Sequence, residues 1–298
     1  MPQKHVGMEG VQRLRDEVVT LCAEIERMPE ENKIINIPVG ATGSAAGLPF
    51  EDWFYQELRS RITGLGFEIF RPFDFVLYII NEIIDQRRIP LDQLRNNVWW
   101  WSIQQFSESL IKRVREGERP KQQQAMGDII VKYGIDLNDV VLINVKATEV
   151  DKRGKPVGRP PNIISSLRLL EFLHRLFTKH RNLIDKVNIW LVCFHYYRPR
   201  PGIAKIHKAI FRDLFKLDLS KAPSINFDAA IQIQWHVEEM IEDPSLTIEK
   251  FAIILARKLL DEWERFYQKR DRKIRKLTEE LLQAIRNSCR QSTLDNRF

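Results

Sequence analysis

Cysteine is scarce in this chain, and long apolar runs are missing. The 298 residues include only three cysteines, Cys22, Cys193 and Cys289, which stand far apart. That spacing suits neither a disulfide framework nor a tetrahedral zinc site, so we expect a reducing compartment. The longest apolar stretch, FDFVLYIINEII, is short and contains acids. We therefore expect neither a secretory leader nor a membrane-embedded segment.

Positive charge exceeds negative charge. Lysine and arginine number 47 against 40 acids, which gives a formal charge of +7 and a pI near 9.3. Such a balance favours a polyanionic partner, since clustered cations neutralise phosphates and release counterions. The run RFYQKRDRKIRK near the end holds seven basic residues and one acid. Two interpretations of this run stay open, a solvated helix face and a surface that follows phosphates.

Hydrophobic periodicity predicts helices at both ends of the chain and strands in the middle. An amphipathic helix is expected over residues 9–28, helices over 73–115, and a mostly helical end from about 246 to 290. The strand candidates are DIIVKYGI, DVVLINVKATEV, VNIWLVCFHYY and SINFDAAIQIQWHV. The predicted architecture is α/β, a central mixed β-sheet flanked by helices with a long C-terminal helix. Its expected divisions are an extension (1–40), a core (41–245) and a basic helical segment (246–298).

Two polar residues interrupt the apolar strand DVVLINVKATEV. Alternate side chains of a strand share a face, so Asn144 and Lys146 are neighbours on it. Asp128 opens the preceding strand, and a hairpin-like return would bring its carboxylate beside that pair. A hard cation such as magnesium takes oxygen ligands from one or two carboxylates, and a lysine orients water and stabilises charge on phosphorus. Two interpretations of the pattern stay open: metal-assisted phosphodiester hydrolysis, as in the PD-(D/E)xK nucleases, and a strand end with exposed polar residues, which spacing alone favours.

Several blocks in family order resemble the HincII/HindII family of type II restriction endonucleases. GSAAGLPFEDWFYQEL is similar to the family's small-residue loop and following helix, and GDIIV and NVKATEV lie where its catalytic acid and Asp-x-Lys triplet belong. PPNIISSLRLLEFL and INFDAAIQIQWHV are similar to a helix start and a strand of the same family. The resemblance implies a magnesium-dependent homodimer that cuts both strands of duplex DNA at a short palindrome. A cytoplasmic protein of a bacterium or archaeon is expected with it.

The resemblance also assigns roles to particular residues. Asp128 would be the metal-bridging carboxylate and Lys146 the water-orienting lysine. Asn162 and Asn226 fall in segments that approach the bases, and an asparagine amide pairs well with adenine. Asn162 also stands in a good position to cap the following helix. Arg159 occupies a loop where the family carries a different polar residue, and we expect it to contact phosphate or base.

Asn144 is the main departure, because the family has aspartate there. An amide oxygen brings no negative charge, so we expect a weakened magnesium site formed by Asp128 and Asn144, and slow or absent cleavage. One explanation is a deliberate single change that traps uncut DNA. The other is a substitute acid, either Glu51 on the helix after the small-residue loop or Glu149. Regular pleating would turn Glu149 to the face opposite Lys146.

Three functional hypotheses follow. The favoured one is a dimeric restriction endonuclease with a crippled site. The second is a sequence-specific DNA-binding protein on a degenerate nuclease fold, which Asn144 favours. The third is a repair or structured-RNA nuclease, which the basic C-terminal run would also serve. The recognition sequence depends on which side chains reach the groove and how the duplex deforms, and residue spacing does not determine either.

Overall fold

The computed structural model describes residues 3–94, 108–118, 126–134, 136–158, 160–220, 224–227, 231–236 and 239–295. Seven helices are described: α1 (Gln3–Ile25), α2 (Ser44–Ile62), α3 (Pro72–Tyr78), α4 (Leu91–Leu94), α5 (Glu108–Arg115), α6 (Ser166–Lys179) and α7 (Ile248–Asp295). A π-helical segment, Ile79–Gln86, continues α3. No described helix is both long enough and apolar enough to cross a bilayer.

A six-stranded mixed sheet forms the centre of the described fold, in the order β1-β7-β6-β4-β3-β2. Its strands are β1 (Ile34–Asn36), β2 (Glu68–Phe70), β3 (Ile129–Lys132), β4 (Val140–Glu149), β6 (Asn188–Arg200) and β7 (Ile203–Asp213). Strands β4 and β6 run parallel, and the other pairs are antiparallel. This architecture confirms the predicted mixed sheet with flanking helices and a long C-terminal helix.

Strand β4 separates two apolar cores, as its alternation predicts. Val141, Ile143 and Val145 face the core that contains α1 and α2. Leu142 faces the other core, which contains α6 and the first turns of α7. Because the side-chain period of a strand is two, Asn144 and Lys146 follow Leu142 on this second face. The polar pair therefore lies where the α6-side core ends along the strand.

The structure differs from the predicted elements at the small-residue segment. The small-residue segment before Glu51 was expected to form a loop, but α2 begins at Ser44 and contains Pro49. Alanine favours helix strongly, and Ala45 and Ala46 lie in its first turn. The early start extends the helix by two turns and carries Phe50, which is fully buried, onto the sheet. Glu51 therefore lies two turns inside a packed helix rather than at its first residue.

A second, three-stranded sheet has the order β5-β9-β8, with β5 (Asn162–Ser165), β8 (Ser224–Asn226) and β9 (Gln232–Gln234). We call it the hairpin sheet. The prediction of one strand over 224–237 was wrong, because β8 and β9 are separate strands that pair antiparallel with each other. The prediction that Asn162 caps α6 was also wrong. Ser165 caps it, accepting a hydrogen bond from the Arg168 amide at 3.4 Å.

Candidate active site

Asp128 and Lys146 meet across the β3–β4 pair. Residue 129 is in register with residue 143, which places Asp128 opposite Asn144 at the open end of β3. The Lys146 Nζ lies 3.6 Å from Asp128 Oδ2, and the two side chains are 22% and 25% exposed. They are therefore neither in the apolar interior nor fully solvated. The predicted convergence of a carboxylate, an amide and an ammonium is what the structure contains.

Backbone contacts hold the Asp128 carboxylate in place. The Val145 amide donates to its Oδ2 at 2.7 Å, and the Asp128 amide donates to the Ile143 carbonyl at 2.8 Å. Gly127 permits this approach, because a Cβ there would lie 3.1 Å from both the Ile143 nitrogen and the Leu142 Cβ. The Lys146 Nζ donates to the Val145 carbonyl at 3.1 Å. The geometry thus depends on the strand backbone more than on loops.

The Asn144 side chain is buried with only one end satisfied. Its Nδ2 donates to the Met126 carbonyl at 3.2 Å, while its Oδ1 is buried without a hydrogen-bond partner. A carbonyl oxygen only accepts, so the contact to Met126 fixes the amide orientation. The Oδ1 therefore remains available as an oxygen ligand for a cation. A buried polar atom without a partner costs about 1 to 3 kcal/mol, so a compensating ligand is favoured.

Glu51 joins the site from α2. Burial and, after it, the nearby Asp128 carboxylate together raise the pKa of its carboxyl to about 7, against the lowering effect of Lys146 and Arg71. The interactions with Asp128 and Lys146 mean that the structure brings Glu51 to the predicted pair. Glu149 is engaged elsewhere, because its Oε2 lies 3.1 Å from Arg198 Nε. Of the two candidate substitute acids, Glu51 is the one beside Asp128 and Lys146.

The raised pKa of Glu51 predicts a pH-dependent stability. The unfolded chain releases this proton near pH 4.5 and the folded chain near pH 7, so folded protein binds more protons between those values. Stability should fall as pH rises through this window, by about 2 kcal/mol after allowance for solvent screening. Denaturant unfolding of Glu51→Gln and wild type at a series of pH values checks this, because the variant lacks the titrating group. A constant stability difference between the two proteins from pH 4.5 to 7 would contradict the assignment.

The oxygen ligands of the site suit a hard cation, although together they carry little negative charge. Asp128 and Glu51 supply carboxylates, and the unpartnered Oδ1 of Asn144 supplies an amide oxygen. Oxygen ligands of these kinds suit magnesium. Within the described residues, no group of three or more acidic, histidine or cysteine side chains could hold a metal. Asn144 stands where a third acidic side chain would complete such a group.

The sequence of the chain matches a known family. A family model described as restriction endonuclease HincII matches residues 32–277, well over half of the chain. The chain belongs to the HincII family of restriction endonucleases. It is therefore a type II nuclease-like protein with a restriction-endonuclease fold, and enzymes of this family bind duplex DNA and generally depend on divalent metal.

Other comparisons add little to the HincII-family assignment. A solved structure, the NlaIV restriction endonuclease, aligns at 13% identity with a TM-score of 0.25, over 64% of this chain and 89% of that one. No curated protein matched significantly.

The hairpin sheet gathers the asparagines that the HincII resemblance placed near bases. Asn162 pairs in register with Gln234, and Asn226 pairs with Gln232. The Gln234 Nε2 donates to Asn162 Oδ1 at 2.9 Å. Residues in register on paired strands point to the same face, so these four amides share one side while Ile233 is buried on the other. Arg159 lies outside the described residues.

Sequence reasoning missed two residues of this HincII-family site. Arg71 donates to the Glu51 carbonyl at 3.3 Å, forms an ion pair with Asp52 and stacks over the Tyr55 ring at 4.4 Å. No local pattern signals it, because it reaches α2 from the turn after β2. Gln234, in contrast, stands in the alternation of Gln232 and Gln234 with Ile233. That alternation could have identified Gln234 as part of a polar strand face that pairs with Asn162.

Proposed function

We propose that this chain is a magnesium-dependent endonuclease that cuts both strands of duplex DNA at a short palindrome, and that Asn144 slows it. The observation that carries the proposal is the ion pair of 3.6 Å between Asp128 and Lys146 on neighbouring strands, with the unpartnered Asn144 Oδ1 beside it. A carboxylate, a further oxygen donor and an ammonium at one strand end supply the groups that phosphodiester hydrolysis needs.

Each residue has a distinct role in this proposal. Asp128, Glu51 and the Asn144 Oδ1 would hold the ion, which when bound polarises a phosphate and lowers the pKa of water. Lys146 would orient the attacking water and stabilise negative charge on the phosphoryl oxygens. Its Nζ is held by the Val145 carbonyl, 3.1 Å away, so little side-chain freedom remains to be lost. Preorganised charge of this kind costs no rearrangement at the moment of reaction.

The charge of the site explains why cleavage should be slow. With a pKa of about 7, Glu51 is only partly ionised at neutral pH, and the single charge of Asp128 is balanced by Lys146. The net charge that a divalent cation meets is therefore close to zero. Affinity for hard cations rises with the number of charged ligands, so magnesium should bind weakly.

A second candidate function is sequence-specific DNA binding without hydrolysis. The observation that favours it is the hydrogen bond of 3.2 Å from Asn144 Nδ2 to the Met126 carbonyl. An aspartate could not make this bond, so the surrounding backbone accommodates an amide without any metal. In this account the hairpin sheet still reads bases, and the site of Asp128 and Lys146 is a remnant.

Binding to a library of palindromic duplexes tests both candidates. We expect the wild-type chain to select one symmetric sequence far above non-specific DNA, typically by a factor of about 10³ or more. Each retained duplex should carry two copies of the chain, because a palindrome presents two equivalent half-sites to a symmetric dimer. Gel shift followed by sequencing measures the selection, and sedimentation of the complex gives its stoichiometry. A preference for branched DNA or structured RNA would contradict both candidates.

A further inference from the structure

The second half of α7 leaves the body of the protein. Leu259 is the last buried residue on the described part of this helix. Beyond it, large apolar side chains are exposed on one face: Leu260, Trp263, Tyr267, Ile274 and Leu277. The helix remains continuous to Asp295. A helix that extends beyond the core in this way offers its surface to a partner.

The opposite face of the same segment carries three cations. Arg265, Lys269 and Arg272 are spaced by four and three residues, so they lie on one side, roughly 180° from the apolar side chains. We call them the basic stripe. Gln268 lies beside them on the same helix surface. All four side chains are hydrogen-bond donors.

The basic stripe is poorly neutralised compared with the rest of the helix. Lys258 pairs with Glu262, Arg275 with Asp271 and Lys276 with Glu280. Within the part of the chain that the structure describes, Lys269 and Arg272 pair with no carboxylate, and Arg265 lies 3.7 Å from Glu262. Lys258, Arg275 and Lys276 thus have intrahelical partners, while Lys269 and Arg272 keep their charge for another molecule.

Aromatic contacts connect this segment to the hairpin sheet. The ring of Phe227, which directly follows Asn226, lies 5.5 Å from Trp263 and 5.1 Å from Phe266. Phe227 therefore packs on the apolar side of the helix, and the basic stripe, which begins at Arg265, lies on the side turned away from it. Because the helix is packed on Phe227, the cations are fixed relative to the strand that carries Asn226.

We propose that the basic stripe binds phosphates of duplex DNA beyond the bases that the hairpin sheet contacts. The inference rests on the proposed function in that it takes DNA as the ligand, but it requires no cleavage. Three contacts with phosphate release counterions and carry no sequence information. The stripe should therefore strengthen binding to every duplex and leave the preference between sequences unchanged.

A pair of matched triple variants tests this inference. Arg265→Gln, Lys269→Gln and Arg272→Gln together remove the stripe. The control, Arg175→Gln, Lys179→Gln and Arg181→Gln, removes the same residue types from exposed positions at the end of α6. That end precedes β6, whose first residue pairs with Val141 at the far end of β4 from Lys146. Both variants change the formal charge from +7 to +4.

The measurement is fluorescence anisotropy of a labelled random-sequence duplex, without magnesium, over a series of salt concentrations. For the stripe variant we expect affinity to fall by at least tenfold at low salt, and the slope of log K against log salt to decrease by about 2 to 3. The control should bind as wild type does. Circular dichroism and thermal melting of both variants confirm that each remains folded.

Other outcomes would overturn the inference, the proposed function, or both, and they can be distinguished. Equal losses in both variants would mean that only overall charge matters, and unchanged binding of the stripe variant would remove the stripe from the interface. A wild-type chain that binds anionic vesicles but no duplex would overturn this inference and the proposed function together. Stripe-dependent duplex binding without any selected palindrome would leave the inference standing and refute the proposed function alone.

Discussion

Asn144→Asp is expected to raise magnesium-dependent cleavage of duplex DNA by orders of magnitude, on the order of 10³-fold. The change adds a negative charge opposite Asp128, where the present site is nearly neutral. It also replaces the Nδ2 that donates to the Met126 carbonyl by an oxygen that cannot donate. The variant should therefore be less stable than wild type without metal, and magnesium should stabilise it more.

Three measurements check this expectation. Linearisation of supercoiled plasmid gives the cleavage rate, and sequencing the ends from a random DNA pool gives the cut site. Thermal melting with and without magnesium gives the coupling between metal and stability. Asn138→Asp, the same change at a buried position in the turn before β4, is the matched control. If wild type already cuts at full rate and Glu51→Ala abolishes cleavage, Glu51 replaces the missing ligand and this expectation is wrong. If neither form cuts any DNA, the nuclease proposal is refuted.

Lys146→Gln in the Asn144→Asp background should reduce cleavage by about 10² to 10⁴. Glutamine keeps a hydrogen-bond donor but loses the charge that stabilises the phosphoryl oxygens and the amine that orients water. Removing a cation 3.6 Å from Asp128 should at the same time tighten magnesium binding. A merely structural lysine would not produce this opposite movement of rate and metal affinity.

Single-turnover cleavage and a magnesium titration followed by thermal shift measure these two effects. Lys152→Gln, the same change on an exposed side chain in the turn after β4, is the control and should alter neither quantity. Retention of full activity by the Lys146 variant would remove this lysine from the chemistry. It would also leave the Asp128–Lys146 ion pair as a feature of folding only.

Local sequence patterns predicted that Asp128, Asn144 and Lys146 converge, because strand geometry is periodic. The alternation of β4 placed Asn144 and Lys146 on one face, and the short connection from β3 brought Asp128 opposite them. Strand β7 escaped prediction, because its basic residues interrupt the apolar alternation that marks a strand. Its long pairing with β6, invisible in the local sequence, stabilises it instead.

The remaining parts of the site depend on distant contacts. Glu51 reaches Asp128 only because Phe50 and Phe54 pack α2 against the sheet. Asn162 looked like a helix cap, but pairing with Gln234 draws it into a strand and moves the cap to Ser165. Neither arrangement follows from spacing, since each depends on which segment the chain folds against.

The register of β4 against β6 runs from Val141 to Glu149, along nearly the whole strand. The backbone around position 144 is thus held by its neighbours, whichever of the two side chains is present there. Codons for asparagine and aspartate differ by one base. Under the proposed function, a slowly cutting and a rapidly cutting form would therefore be a single mutation apart. A host that carries the gene would then need its own cut sites protected before that mutation arose.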